Sequence, residues 1–329
     1  MSASAASSVE MFNKASFLTR LVASSVRVSE AAGGIIKNVM AGGDLKIIDK
    51  SETSGAYDPQ TEADRRAQYC IVQSLQRHFN NITIIGEEED TTACPELEMG
   101  FNEDVLLSDR QMSADLKDIK ENEVVVWVDP LDGTSEVALA VKNKNLALLE
   151  QVTVLIGIAY KGLPVAGVIH QPYHSTSGRT VWAIRGCGVH GLVPATGNAQ
   201  KTVVTTRSHL SESVSSALEA LKTKQLADNV EKVGGAGFKV LKVLEGAAAY
   251  VFASAGCKKW DTCAVEAVLH AAGGRLTDIS GRQIRYESDV QLNNTGGVLA
   301  TASWVEHQKY IDTIPEEIKK NLPEIASKK

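Results

Sequence analysis

Apolar positions change their spacing several times along this chain, and each change predicts an element. Phe17, Leu21, Val22, Val28, Ala32, Ile35, Ile36 and Val39 recur at roughly helical spacing and predict one or two amphipathic helices. Gly33-Gly34 lies inside that pattern and marks either a break or a close packing of backbones. Thr61 with Asp64 fits a loosened capping box, and Ala67, Ile71, Val72, Leu75 and Phe79 give the helix behind it an apolar face. Residues 82–85 read as a short strand running into Gly86-Glu87-Glu88-Glu89, with Glu89 as a solvated loop acid. Residues 90–122, polar and acid-rich, read as a surface excursion without chemistry. A β-branched run at residues 124–128 predicts a buried strand.

Residues 152–160 and 164–170 flank Lys161-Gly162-Leu163, which is a hairpin signal, and residues 180–185 add a third strand. Gly186, Gly188 and Gly191 mark a change of organisation, so the expected division is an N-terminal α+β part (residues 1–190) and a C-terminal α/β part (residues 191–329). Beyond it, strands are expected at 203–206, 250–253, 276–279 and 298–302. Helices are expected at 211–221, at 238–245, from Trp260-Asp261-Thr262 to Gly273-Gly274, and through 304–325.

Composition narrows the class. At 329 residues the chain is long enough for two packed parts, and 43% hydrophobic with 22% charged residues is ordinary for a globular protein. A formal net charge of -6 argues against a nucleic-acid polymer or a membrane surface as partner, so a phosphorylated small substrate would need local cations or bound metal. Cys70, Cys94, Cys187, Cys257 and Cys263 are odd in number and contain no CxxC pair, which favours reduced thiols. The Ser/Ala-rich start has no apolar signal core, and the cytoplasm is the expected compartment.

The stretch with most chemistry is Val124 to Glu136. Its strand delivers Asp129 and Asp132 at the C-terminal end, Pro130 stiffens the corner, Gly133 permits a tight turn, and Thr134-Ser135 opens a helix. Two acids beside a fresh helix N-terminus suit a phosphate held against divalent cations. Taken one at a time, each acid has a plainer reading. Asp132 sits in an Asp-Gly turn, Asp58 and Asp64 begin a helix, and Asp261 looks like an N-cap. The loop Gly234-Gly235-Ala236-Gly237 lets backbone approach a ligand but lacks the dinucleotide fingerprint.

Taken together, Gly-Glu-Glu after a strand, Asp-Pro-Leu-Asp-Gly-Thr after a strand and Trp-Asp at a helix start resemble, in this order, the lithium-sensitive, Mg²⁺-dependent phosphomonoesterases that include inositol monophosphatases and fructose-1,6-bisphosphatases. Thr205-Thr206-Arg207-Ser208-His209, Val233 to Gly237 and Tyr250 to Ala264 are most similar to the 3'(2'),5'-bisphosphate nucleotidase branch, and the likeness runs from about Leu21 to Ala302. The resemblance implies a layered α/β/α/β/α sandwich with the site between its two parts. It implies Mg²⁺ held by Glu87, Asp129, the Leu131 carbonyl, Asp132 and Asp261, with Glu88 as a supporting acid. Asp58 and Thr134 would orient and deprotonate the attacking water. Gly133 and Thr134 N–H groups would bind the scissile phosphate, and Thr206, His209, Gly235 and Lys239 would contact the nucleoside and its other phosphate. The substrate implied is adenosine 3',5'-bisphosphate, and 3'-phosphoadenylyl sulfate as well, which ties the chain to sulfate metabolism. Inositol polyphosphate 1-phosphatase activity and a catalytically silent nucleotide sensor are the alternatives. Ser135 and Val137 stand where the family usually has Lys and Tyr, and Phe238 replaces a polar residue before Lys239.

Overall fold

The run at residues 124–128 forms more strand than its apolar part, because the backbone stays extended through both acids to Asp132. A computed structural model describes residues 3–43, 45–49, 59–89, 91–95, 97–208 and 210–324. Strands β1 (Ile48–Asp49) and β2 (Pro59–Gln60) make a short antiparallel pair. Six strands follow in one sheet, in spatial order: β3 (Thr83–Gly86), β4 (Val124–Asp132), β5 (Thr153–Tyr160), β6 (Leu163–Gln171), β7 (Arg179–Ile184) and β8 (Val189–His190). β3 lies parallel to β4 and the other neighbours are antiparallel. A second sheet takes β9 (Thr202–Thr206), β10 (Asn229–Val233), β11 (Ala249–Phe252), β12 (Arg275–Thr277) and β13 (Val298–Thr301) in the order β10-β9-β11-β13-β12.

The core divides along the faces of these sheets. On one face of the large sheet, Val126, Val128, Ile156 and Val168 pack with Leu18, Leu21 and Ile36 of the helix Phe17–Gly42 and with Ile71 and Leu75 of the helix Glu62–His78. On the other face Trp127, Leu155 and Ile169 meet the helices Ala236–Leu244 and Lys259–Ala271, which are backed by Val204, Tyr250 and Ala300 of the small sheet. Outside that sheet, Val203, Val251 and Leu299 pack against Leu218 of the helix Glu212–Thr223 and Tyr310 of the helix His307–Thr313. The order helix, sheet, helix, sheet, helix is the expected five-layer sandwich.

Most strand expectations hold to within a residue or two, and the exceptions have physical causes. The helix Phe17–Gly42 runs unbroken through Gly33-Gly34: a side chain at Gly33 would overlap the His170 ring, so the glycine serves close packing and makes no break. Within residues 90–122, Val105, Leu106, Met112, Leu116 and Ile119 are buried in the outer core, so this stretch is a lid on the helices more than a loose excursion. No apolar alternation marks β10 in the sequence: it is an edge strand with only Val233 buried, so Asn-Val-Glu-Lys-Val lacks a full apolar face. Pro315 divides the C-terminal helical segment into His307–Thr313 and Glu316–Asn321. Asp261 is not the N-cap: Lys258 holds that position, and Asp261 accepts its N–H at 2.7 Å from the third helical place.

Gly157 and Gly167 face each other across β5 and β6. A Cβ on either would overlap the backbone of Ala264, so this glycine pair lets the helix Lys259–Ala271 rest directly on the sheet. That seat brings Asp261, at the start of the same helix, to the end of β4.

Candidate active site

Everything expected of the site starts at the end of β4. The strand's pairing with β5 shifts register between Asp129 and Asp132, so the two acids do not alternate as in a regular strand. Asp129 is buried and accepts the Leu131 N–H at 3.0 Å. Burial, then the charges of Glu87, Asp132 and Asp261, hold its carboxyl well above the usual range. Asp261 is pushed up to about 6 by burial and by Asp132, while the Lys258 N–H and the Cys257 thiol work the other way. Glu87 leaves β3 with its N–H bonded to the Val128 carbonyl at 3.1 Å, which fixes it beside Asp129. Among the described residues these side chains do not form a ready-made cage of three or more ligating groups. What Asp129 and Asp261 share is a carboxyl raised by burial and by neighbouring negative charge.

Asp132 has a second occupation. Its Oδ1 accepts the Ala236 N–H at 2.8 Å, and its Oδ2 accepts the Gly237 N–H at 2.8 Å and the Thr153 hydroxyl at 2.6 Å. The carboxylate therefore caps the helix Ala236–Leu244, where its charge meets the positive helix end.

Gly133, with φ 98°, is the N-cap of the helix Thr134–Asn143, and its carbonyl accepts the Glu136 N–H at 2.9 Å. Thr134 Oγ1 lies 3.0 Å from Asp64 Oδ1 and 3.0 Å from the Leu131 carbonyl. Asp64 is thus a carboxylate partner of the Thr134 hydroxyl; Asp58, for which that role was expected, lies outside the described residues. Asp64 also closes the capping box with Thr61, accepting its N–H at 2.7 Å. Burial, with the nearby Glu88 charge, pushes the Asp64 carboxyl up to about 6 against the Thr61 and Thr134 hydrogen bonds. Glu88 itself accepts from Gln60, while Gln68 clamps its backbone at both N–H and C=O. Its charge reaches Asp64.

Asp132, Gly133, Thr134, Thr206, Gly235, Lys239 and Asp261 line one cavity of about 150 Å³, together with Tyr250 and Cys257. Lys239 is buried with its ammonium 5.3 Å from the centre of the Tyr250 ring. His209 lies outside the described residues. A larger cavity of about 850 Å³, lined by Glu30, Lys37, His170 and Trp182, holds none of the expected acids. Size is the weaker guide here, since the small cavity has the converging chemistry. Sequence reading passed over Glu136 and Arg207, whose 2.5 Å ion pair joins residues 71 apart in the chain. No local signal could have found it.

Buried carboxylates facing a hydroxyl and a helix N-terminus between two sheets are the equipment of a phosphoester-processing enzyme. The chain belongs to the inositol monophosphatase family, whose model matches residues 18–319. It is 45% identical to human 3'(2'),5'-bisphosphate nucleotidase 1 over 93% of this chain and 97% of that protein. The Dictyostelium discoideum protein of the same name is 34% identical over 90% and 96%. In fold it is similar to CysQ from Bacteroides thetaiotaomicron, with a TM-score of 0.62, 22% identity and 87% of this chain covered against 98% of that one.

Proposed function

We propose that this chain is a Mg²⁺-dependent phosphomonoesterase that removes the 3'-phosphate of adenosine 3',5'-bisphosphate, giving AMP and phosphate, and that it treats 3'-phosphoadenylyl sulfate in the same way. The observation that carries this reading is the Thr134–Asp64 hydrogen bond beside Asp129 and Asp132.

The donors suit the metal: carboxylates of Glu87, Asp129, Asp132 and Asp261 and the Leu131 carbonyl are hard oxygens, and Asp129 and Asp261 are raised by burial and by the charges of neighbouring carboxylates. Bound there, Mg²⁺ would supply an activated water and charge for the phosphoryl oxygens and the departing alkoxide. The remaining work belongs to side chains. The Thr134 hydroxyl has one proton and two acceptors, so passing it to Asp64 leaves an oxygen lone pair to take a proton from water. A carboxyl near 6 is well matched to receive that proton at neutral pH. The N–H groups of Gly133 and Thr134 would hold the phosphate in line. Water adds to phosphorus, the 3'-oxygen leaves and is reprotonated, and phosphate departs. Li⁺ would inhibit uncompetitively by replacing one Mg²⁺ after bond cleavage.

Phosphate release from adenosine 3',5'-bisphosphate and from an inositol bisphosphate, with Mg²⁺ and with EDTA, tests the reading. Release from the nucleotide that requires Mg²⁺ supports it; preference for the inositol ester, or no release from either, overturns it.

A further inference from the structure

Glu87, Asp129 and Asp132 stand at neighbouring strand ends of the large sheet, whereas Asp261 arrives on a helix from much later in the chain. Its place beside them therefore depends on what holds the start of that helix. The glycine pair of β5 and β6 sets the height of the helix on the sheet. The first turn has a fastening of its own.

Asn294 provides it. The residue is 3% exposed, and every hydrogen bond of its side chain among the described residues goes to this one turn. Oδ1 accepts from the Lys259 ammonium at 2.8 Å, while Nδ2 donates to the Lys258 carbonyl at 2.8 Å and to the Thr262 hydroxyl at 3.0 Å. An ammonium only donates, so the amide oxygen has to face Lys259 and both N–H groups are left for the carbonyl and the hydroxyl. The main chain adds to the grip: the Asn294 N–H donates to the Cys257 carbonyl at 2.7 Å, and the Lys259 N–H to the Leu292 carbonyl at 2.8 Å. Lys258 is the N-cap and Thr262 is the residue after Asp261, so the amide holds the turn on both sides of the acid.

Asn294 is itself anchored. Its carbonyl accepts the Gly297 N–H at 3.1 Å, and the Gly296 carbonyl accepts the Ile279 N–H at 3.1 Å. Gly297, with φ 71°, passes so close to the Phe252 carbonyl that a Cβ would overlap it. From Val298 onward β13 pairs with β11, beginning at Phe252. The turn before β13 is thus built into the small sheet, and Asn294 carries that sheet's position across to Asp261.

We propose that Asn294 is a positioning residue: through Lys258 and Thr262 it holds the Asp261 carboxylate where it can share a divalent cation with Asp129 and Asp132. This rests on the metal-dependent phosphatase reading above. Like charges push Asp261 away from the other acids, so a helix start free to fray would carry the ligand off. Partners that orient a ligand from behind in this way are commonly worth about 10–100-fold in metal affinity or activity.

The test follows Mg²⁺ as well as turnover. Wild type, Asn294→Ala, Thr262→Val and Leu218→Ala are melted across a Mg²⁺ series without substrate, and phosphate release from adenosine 3',5'-bisphosphate is measured across the same series. Leu218→Ala, a truncation in the outer layer, controls for lost stability. Asn294→Ala should need about tenfold more Mg²⁺ for the same gain in Tm and for half-maximal rate, with KM for the nucleotide at saturating Mg²⁺ little changed. Thr262→Val keeps the side chain's shape and removes one contact of the amide, so it should shift the Mg²⁺ dependence the same way by less. Leu218→Ala should lower Tm and keep the wild-type Mg²⁺ dependence. An unshifted dependence in Asn294→Ala, or in Thr262→Val should the first variant not fold, overturns the proposal, as does an equal shift in Leu218→Ala. Wild type with neither a Mg²⁺-induced gain in Tm nor phosphate release would sink the metal reading and this inference with it; wild type with both and an unshifted Asn294→Ala sinks the inference alone.

Discussion

Thr134 and Asp64 stand 70 residues apart in the chain and 3.0 Å apart in space, hydroxyl to carboxylate. One begins the helix behind the Asp-Gly turn and the other closes a capping box, so two helix starts point their chemistry at one place.

Asp64→Asn keeps an acceptor for the Thr61 N–H but removes the proton sink. The expected outcome is a fall in kcat of about 10²–10⁴ with a modest change in Tm. Wild-type turnover in the mutant, measured by phosphate release, would take Asp64 out of the reaction.

The reason Asp64 escaped sequence reading is that its plain interpretation is also true. Thr61 and Asp64 do form the capping box, and nothing in the local pattern tells that the other carboxylate oxygen is used 70 residues away. The same limit hid Glu136 and Arg207, which meet only after the two sheets are stacked. What was legible had a period or a turn to announce it: the valine run of β4, the Lys161-Gly162 hairpin and the apolar stripe of Phe17–Gly42. β10, at a sheet edge with one buried residue, had neither.

Asp261→Asn preserves the N–H acceptor within its capping box while lowering the charge shared with Asp129 and Asp132. Wild type should gain Tm on addition of Mg²⁺, by binding to the folded state only. The mutant should lose most of that gain together with its activity. Equal Mg²⁺-induced shifts in both proteins would exclude Asp261 as a ligand.

Glu266 is buried, takes the Tyr286 hydroxyl at 2.5 Å on one oxygen and has no hydrogen-bond partner on the other. Burial pushes it from 4.5 up to about 8. The folded state therefore holds a proton that the unfolded chain has released, and stability declines as pH rises from about 4.5 to about 8, then levels. The slope is at most about 1.4 kcal/mol per pH unit. Glu266→Gln should flatten this dependence, with its largest gain over wild type at pH 8 in urea melts. A gain that is larger at pH 5 would mean that the carboxyl is ionised in the fold.

Gly167→Ala would press a methyl group into the Ala264 carbonyl, and helix backbone cannot step aside as a side chain can. A loss of roughly 1–3 kcal/mol is expected. Activity should fall further than stability accounts for, because Asp261 moves with the helix. A mutant as stable and active as wild type would show that the helix can ride higher on its sheet.

Asp132 belongs to the large sheet, yet its oxygens hold the N–H groups of Ala236 and Gly237 in front of the small one. One carboxylate is thus shared between the acid end of the cavity and the loop that shapes its other wall. Whatever draws on its charge from one side alters the grip it has on the other. Two ligands that meet through such a shared group are energetically coupled, and the coupling is reciprocal: the factor by which the first changes affinity for the second is the factor by which the second changes affinity for the first.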